Sequence, residues 1–222
     1  MKDLVLLAGW GFDSRVWRPV AERLAGEFRI GYELDGASDD AIVCGWSLGA
    51  MRAIRFASEK SGVATRHQRL ILVGATPRFV QAPGWNCAQP PEVLESFAVG
   101  ITADPQTALR RFATLLNQGD TRAREITRQL HELMRDGVPD MATLTAGLAE
   151  LCDANLEKSA VAVRQPTLLI HGERDPLMPL AAAQWLAAHI PDARLEVFAG
   201  VAHAPFLSQP DRFAQLVREF AQ

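Results

Sequence analysis

Apolar residues along the chain fall into two registers. Short continuous runs, at Leu4–Leu7, Ala41–Cys44, Leu70–Val73 and Thr167–Ile170, are rich in Val, Ile and Leu. That is the pattern of strands buried on both faces. Phe28 to Leu34 and residues 194–198 read as two further strands. Between them lie stretches whose apolar residues recur every three or four positions, as on a helix with one buried face. Residues 15–26 carry Val16, Trp17, Val20 and Leu24 in this way, with Ser14 as the expected N-cap. Residues 50–59 carry Met51, Ile54 and Phe56, and helices are also expected over 179–189 and 210–221. Strands alternating with helices predict an α/β architecture: a mostly parallel sheet with helices on both faces.

From Ala75 to Leu156 the strand pattern stops. Pro77, Pro83, Gly84, Pro90 and Pro91 make residues 76–91 a loop. Amphipathic helices follow near 91–100, 104–117, 121–135 and 139–151, punctuated by Pro105, Gly119, Gly137 and Pro139. The expected organisation is a core of residues 1–75 and 157–222, with an all-helical lid inserted over 76–156.

Composition narrows the function classes. A chain of 222 residues supports one domain with an insertion, and 48% hydrophobic residues suffice for a sizeable core. A net charge of -3 argues against a general nucleic-acid binder. Cys44, Cys87 and Cys152 show neither metal-ligand nor CxxC spacing, and their wide separation suits a reducing compartment. Leu4 to Ala8 is too short for the apolar part of a signal peptide, and no run approaches the ~18 apolar residues of a membrane span. No phosphate loop, dinucleotide glycine pattern or His/Cys cluster is present, so neither cofactor nor metal is expected. A cytoplasmic monomer, free of nucleic acid and membrane, is the expectation.

Chemistry concentrates at three loops. The strand at 41–44 runs into Gly45-Trp46-Ser47-Leu48-Gly49 and then a helix. Strand, G-x-S-x-G, helix is the nucleophile elbow, in which a strained turn holds the serine hydroxyl out at the carboxyl edge of the sheet. The 167–170 strand leads into His171-Gly172-Glu173-Arg174-Asp175-Pro176, and the last strand into Ala202-His203-Ala204-Pro205-Phe206. In a parallel sheet all three loops share one edge, so Ser47, Asp175 and His203 can converge. Their order, Ser…Asp…His, is that of the α/β-hydrolase fold. His203 would take the Ser47 proton and Asp175 would fix the imidazole tautomer. Glu173 is a rival acid and His171 a rival base; His67, His131 and His189 read as surface or packing residues. An oxyanion hole needs two N–H groups. Leu48 at the helix start supplies one, and Trp10, between Gly9 and Gly11, is placed to supply the other.

These residues carry a resemblance. Leu6-Leu7-Ala8-Gly9-Trp10-Gly11 with Val16-Trp17, Gly45-Trp46-Ser47-Leu48-Gly49, and Ala202-His203-Ala204-Pro205-Phe206 resemble the α/β-hydrolase superfamily over nearly the whole chain. Within it the chain is most similar to the BioH-type esterases of biotin synthesis, which hydrolyse pimeloyl-acyl-carrier-protein methyl ester. Arg111-Phe112 and Ala123-Arg124-Glu125-Ile126-Thr127-Arg128 continue the likeness into the insertion. The resemblance implies a serine carboxylesterase with Ser47, Asp175 and His203 as triad, and Trp10 and Leu48 as oxyanion donors. It implies Arg111, Arg124 and Arg128 as contacts of an acyl carrier protein. Trp10, Trp46 and Phe112 are candidate walls of the acyl pocket. Charge points the same way, since residues 107–135 carry a net +3 in a chain of -3. Pairing of Glu125 with Arg122 or Arg128 on a solvated helix face is the competing reading. Other acyl hydrolases, thioesterases included, and a degenerate non-catalytic hydrolase fold are the alternatives.

Three departures qualify the match. Ala8 stands where the family has histidine, the chain begins directly in the first strand without the usual hairpin, and only residues 35–40 separate the second and third strands. Those strands should flank the first. Their connection must then span a diagonal of about 20 Å, and seven virtual bonds reach roughly 23–25 Å. The loop would be nearly taut. The second strand is therefore expected to be short, frayed or displaced, with one sheet face less covered.

Overall fold

The computed structural model describes residues 1–59 and 68–222. Among them, β1 (Lys2–Leu7), β2 (Phe28–Gly31), β3 (Ile42–Trp46), β4 (Arg69–Val73), β5 (Thr167–Gly172) and β6 (Ala193–Phe198) form one sheet. All pairings are parallel and the order is β2-β1-β3-β4-β5-β6. The four continuous apolar runs are the four inner strands, buried on both faces. The edge strands β2 and β6 are only partly covered.

The handedness of parallel crossovers sorts the helices. β1 passes to β2 in one direction through α1 (Arg18–Leu24). β3 passes to β4, and β5 to β6, in the other direction through α2 (Leu48–Glu59) and α8 (Leu180–His189). Helix α1 therefore lies on one face, and α2 and α8 on the other. The last helix, α10 (Pro210–Ala221), packs on α1, as does the short α9 (Pro205–Ser208). Trp17 is fully buried in this layer, its ring 4.2 Å from that of Phe206 and 6.1 Å from that of Phe213. Such ring pairs add about 0.5–1.5 kcal/mol beyond the area they bury.

Three local expectations are corrected. The 15–26 helix is a 3-10 turn, Ser14–Trp17, followed by α1. Its cap is Asp13 rather than Ser14, because the Asp13 carboxylate accepts from the Arg15 N–H at 2.9 Å. The second strand stops at Gly31 instead of Leu34. Residues 32–41 are thereby freed for the crossing over β1, and they form no helix. A right-handed crossing from β2 to β3 runs over the α2 face, which is thus one helix short beside β1 and β2. His67 lies outside the described residues.

Between β4 and β5 come α3 (Pro91–Ala103), α4 (Pro105–Leu115), α5 (Ala123–Arg135), α6 (Met141–Asp153) and a short α7 (Glu157–Ala162). Asp104 and Asp140 cap α4 and α6 by accepting from Thr107 and Thr143 N–H. Helix α3 packs on α4 and α6, and α4 on α5. The Leu156 N–H donates to the Pro77 carbonyl at 2.8 Å, so both ends of the helical segment leave the sheet at one place. No helix of the described residues is long and apolar enough to cross a membrane.

Candidate active site

The turn between β3 and α2 is a single residue, Ser47. It is the one non-glycine of the described residues with a positive φ, at 59°. Such a conformation costs of order 1–3 kcal/mol and persists only where its surroundings enforce it. The enforcement is visible. A methyl group at position 45 would sit 2.3 Å from the Gly49 carbonyl oxygen, and one at position 49 would sit 2.4 Å from that of Leu7. The Ser47 N–H bonds the Val73 carbonyl at 2.9 Å, extending the β3–β4 ladder. Its own carbonyl accepts from Ala50 at 2.9 Å and Met51 at 3.2 Å, starting the helix. The Leu48 N–H is then a first-turn donor with no acceptor inside the helix.

The other two loops meet beside it. The Asp175 side chain is fully buried, and its Oδ1 accepts from the N–H groups of Leu177 and Met178 at 2.9 and 2.8 Å. Its Oδ2 lies 2.6 Å from His203 Nδ1. Burial works to raise the Asp175 pKa. The His203 charge and hydrogen bond, with a smaller contribution from His171, outweigh it, and the net shift is downward. His203 is also fully buried. Its ring fits because residue 74 is glycine: a Cβ there would lie 3.0 Å from His203 Cε1 and Nδ1. The His203 carbonyl accepts from Trp46 Nε1 at 2.8 Å, tying it to the residue before Ser47. With Nδ1 engaged by Asp175, Nε2 on the other side of the ring has no hydrogen-bond partner among the described residues. An orphaned buried nitrogen costs about 1–3 kcal/mol. Here it is a free acceptor in the tautomer a general base needs.

The rival groups are otherwise engaged. Glu173 accepts from the Gly200 N–H at 2.8 Å. His171 Nε2 is 2.7 Å from the Met178 carbonyl and 3.4 Å from Asp175 Oδ2, and burial depresses its pKa. His131 Nε2 contacts the Arg110 carbonyl, and His189 stacks on Trp185 with ring centroids 3.9 Å apart.

The loop after β1 lies directly on the elbow. A Cβ at Gly9 would be 3.1 Å from both Ser47 Cβ and Trp46 Cε3. Trp10 is anchored by its indole N–H, which donates to the Leu144 carbonyl at 2.9 Å. Its ring stacks on Phe97 at 5.7 Å and meets the edge of Phe112 at 4.9 Å. Gly147 of α6 covers both Trp10 and Leu48, since a Cβ there would be 2.7 Å from Trp10 Cδ1 and 3.3 Å from Leu48 Cδ2. A cavity of about 210 Å³ borders this loop, lined by Ala8, Gly9, Trp10, Tyr32, Leu48 and Arg52 among others. Ser47 does not line it. The hollow therefore flanks the elbow, at the place where Ala8 leaves no imidazole. Phe97, Gly74 and Gly147 escaped the sequence reading. Only the glycines left a trace there, as residues following a strand or interrupting a helix.

Outside the aromatic cluster, α4 and α5 enclose a groove of about 750 Å³ lined by Asn117, Arg124, Thr127, Arg128, His131 and Arg135 among others. Arg128 pairs with Glu132 at 2.8 Å, and Arg122 pairs with Glu125. Both arginines singled out on α5 thus face one groove. Arg111 is exposed but does not line it, and Phe112 turns inward.

Residues 30–216 match the alpha/beta hydrolase family model. The chain belongs to the alpha/beta hydrolase family. A relative from Aromatoleum aromaticum, named pimeloyl-[acyl-carrier protein] methyl ester esterase, is 37% identical over 98% of this chain and 97% of its own. One of the same name from Nitrosomonas europaea is 37% identical over 95% and 92%. Among solved structures, an esterase from Exiguobacterium antarcticum superposes with a TM-score of 0.84 at 21% identity, covering 100% of this chain and 92% of that one. The enol-lactonase of Burkholderia xenovorans LB400 gives 0.79 at 20%, covering 99% and 91%. At such identity these two attest the fold alone.

Proposed function

We propose that this protein is a serine carboxylesterase that cleaves the methyl ester of a pimeloyl chain borne by acyl carrier protein, as its relatives' name describes. The carrying observation is the 2.6 Å contact between buried Asp175 and His203 Nδ1, which leaves Nε2 unpartnered on a residue whose carbonyl is bonded by Trp46, the neighbour of the strained Ser47. In this reading His203 Nε2 removes the Ser47 proton as Oγ attacks the ester carbonyl carbon. The negative charge that develops on the carbonyl oxygen is met by the backbone N–H groups of Trp10 and Leu48. Collapse breaks the bond to the methoxy oxygen, which takes the proton from His203 and leaves as methanol. Water, deprotonated by the same nitrogen, then releases the acid and restores Ser47. Asp175 holds the ring and stabilises its positive charge. Residues 76–156 act as a lid, with Trp10 and Phe112 forming walls of the acyl pocket. The carrier docks through Arg111, Arg124 and Arg128.

A fluorophosphonate probe should label wild type at Ser47 and leave Ser47→Ala untouched. Ser47→Ala should lower hydrolysis of p-nitrophenyl butyrate by roughly a thousandfold or more. Equal activity in the two proteins would refute the nucleophile. The substrate is tested with pimeloyl-carrier methyl ester, for which kcat/KM should far exceed that for free dimethyl pimelate.

A further inference from the structure

One buried carboxylate has no part in the chemistry just described. Asp120 sits in the turn between α4 and α5, is 8% exposed, and has no cationic side chain within ion-pair distance among the described residues. Its charge is met by other donors. Oδ1 accepts from the Arg122 N–H at 2.7 Å and the Ser208 hydroxyl at 2.9 Å, and Oδ2 accepts from the Ala202 N–H at 2.8 Å. The first bond closes a local side-chain turn just before α5. The other two leave the helical segment: one ends on Ala202, in the loop that carries His203, and the other on Ser208, the last residue of α9.

That loop is held from the α4–α5 turn almost bond by bond. The His203 N–H donates to the Leu116 carbonyl at 3.1 Å, and the Thr121 N–H donates to the Gly200 carbonyl at 3.0 Å. Arg122 Nη1 also donates to the Ser208 carbonyl. The fit is close, since a Cβ at Gly200 would lie 3.0 Å from Thr121 Cγ2. The two successive amides that set the direction of the imidazole, those of Ala202 and His203, thus both end on the turn. The Ala202 bond is the charge-assisted one, roughly twice as strong as a neutral bond. On the far side, the Ala202 carbonyl abuts Gly172, where even a methyl group would clash, so the peptide cannot slide towards β5.

We infer that Asp120 is a positioning residue for His203: its carboxylate fixes the peptide before the imidazole, so that Nε2 is held at the Ser47 elbow. The inference rests on the reading of His203 as the general base. A local turn alone would need neither burial nor bonds to residues more than eighty positions away. Its consequence is that the helical segment between β4 and β5 completes the catalytic geometry as well as covering it.

Asp120→Asn tests this with little change of shape. The amide oxygen can still accept from Arg122 and Ser208, but its nitrogen then faces the Ala202 N–H donor to donor. With p-nitrophenyl butyrate, kcat should fall about ten- to hundredfold, the scale of a small misplacement of a reacting group. KM should stay near the wild-type value. Ser208→Ala, which spares the Ala202 bond, should leave kcat nearly unchanged. Val217→Ala in α10, chosen to lower Tm comparably, should also keep kcat, which separates positioning from general loosening. If Asp120→Asn does not fold, Asp120→Ser takes its place in the same comparison. A folded Asp120 variant with wild-type kcat, beside an active wild type, would overturn this inference alone. A wild type that is inert and unlabelled at Ser47 would overturn the esterase reading and this one with it.

Discussion

At Gly49 the nearest atom to an added methyl group would be the Leu7 carbonyl oxygen, and at Gly45 the Gly49 carbonyl oxygen, both backbone atoms that cannot swing aside. These contacts hold β1, β3 and α2 close enough for one residue to make the turn, and Ser47 takes the strained φ as a result. Gly45→Ala or Gly49→Ala should therefore cost more than the about 1–3 kcal/mol of ordinary overpacking, read as a lowered Tm. Whatever folds should react slowly with fluorophosphonate, because the turn must open to admit the methyl group. Trp10 has a different dependence. Its backbone is the proposed donor, but its indole N–H holds the loop to the Leu144 carbonyl. Trp10→Phe keeps the backbone donor and much of the stacking on Phe97 and Phe112; the carbonyl keeps its partner within α6, so the loss is that of one hydrogen bond, about 0.5–1.5 kcal/mol. Stability and kcat should fall together, and a thermal melt beside ester kinetics reads both.

The edge strand β2 shows how an element is held when its sequence barely supports it. It is short, partly exposed, and followed by a connection without a helix. A forked ion pair fastens it to β1: Arg29 Nη2 meets Asp3 Oδ2 at 2.8 Å, and Nε meets Oδ1. The Arg29 hydrogen bonds, with help from Ser38, lower the Asp3 pKa from 3.8 to about 2. A depressed carboxylate stabilises the fold above its unfolded pKa and loses that contribution as pH falls through the folded value. Wild type should thus lose stability between about pH 4 and pH 2 more steeply than Asp3→Asn, and should be the more stable protein near neutrality; urea melts across that range decide it. The same strand marks the limit of what sequence displays. The inner strands were legible as continuous apolar runs, the elbow by its G-x-S-x-G between strand and helix, and the Asp175 and His203 loops by their place after strands that end at the same sheet edge. The exact end of β2 was not: the taut span over β1 predicted a short strand, and the propensity of Tyr32 to Leu34 carried the expected range past Gly31. The role of Asp120 was hidden for a related reason: Ala202 and Ser208, which it bonds, lie more than eighty positions away and only the assembled fold brings them near.

Charge is distributed unevenly over the whole molecule, and the asymmetry has a kinetic consequence. The net charge is -3, yet the α4–α5 groove presents Arg124, Arg128 and Arg135. A field of this kind steers an acidic macromolecule to one face and raises its association rate, an effect that salt screens within about 10 Å at 0.1 M. If carrier docking uses this groove, kcat/KM for a carrier-linked ester should fall steeply between ~50 and ~500 mM salt, mainly through KM. For p-nitrophenyl butyrate, a neutral substrate, it should barely move. The arginines should not contribute equally. Arg128 is partly neutralised by Glu132 at 2.8 Å, whereas Arg124 has no ion pair among the described residues. Arg124→Ala should flatten the salt dependence by removing an unopposed charge. Glu132 lines the same groove, so Glu132→Gln should strengthen its field and raise carrier-linked kcat/KM at low salt, converging on wild type at high salt. Such a gain of function is hard to produce by accidental damage. If Glu132→Gln leaves carrier-linked turnover unchanged while Arg111→Ala lowers it, the carrier approaches over the exposed side of α4, where Arg111 lies outside the groove.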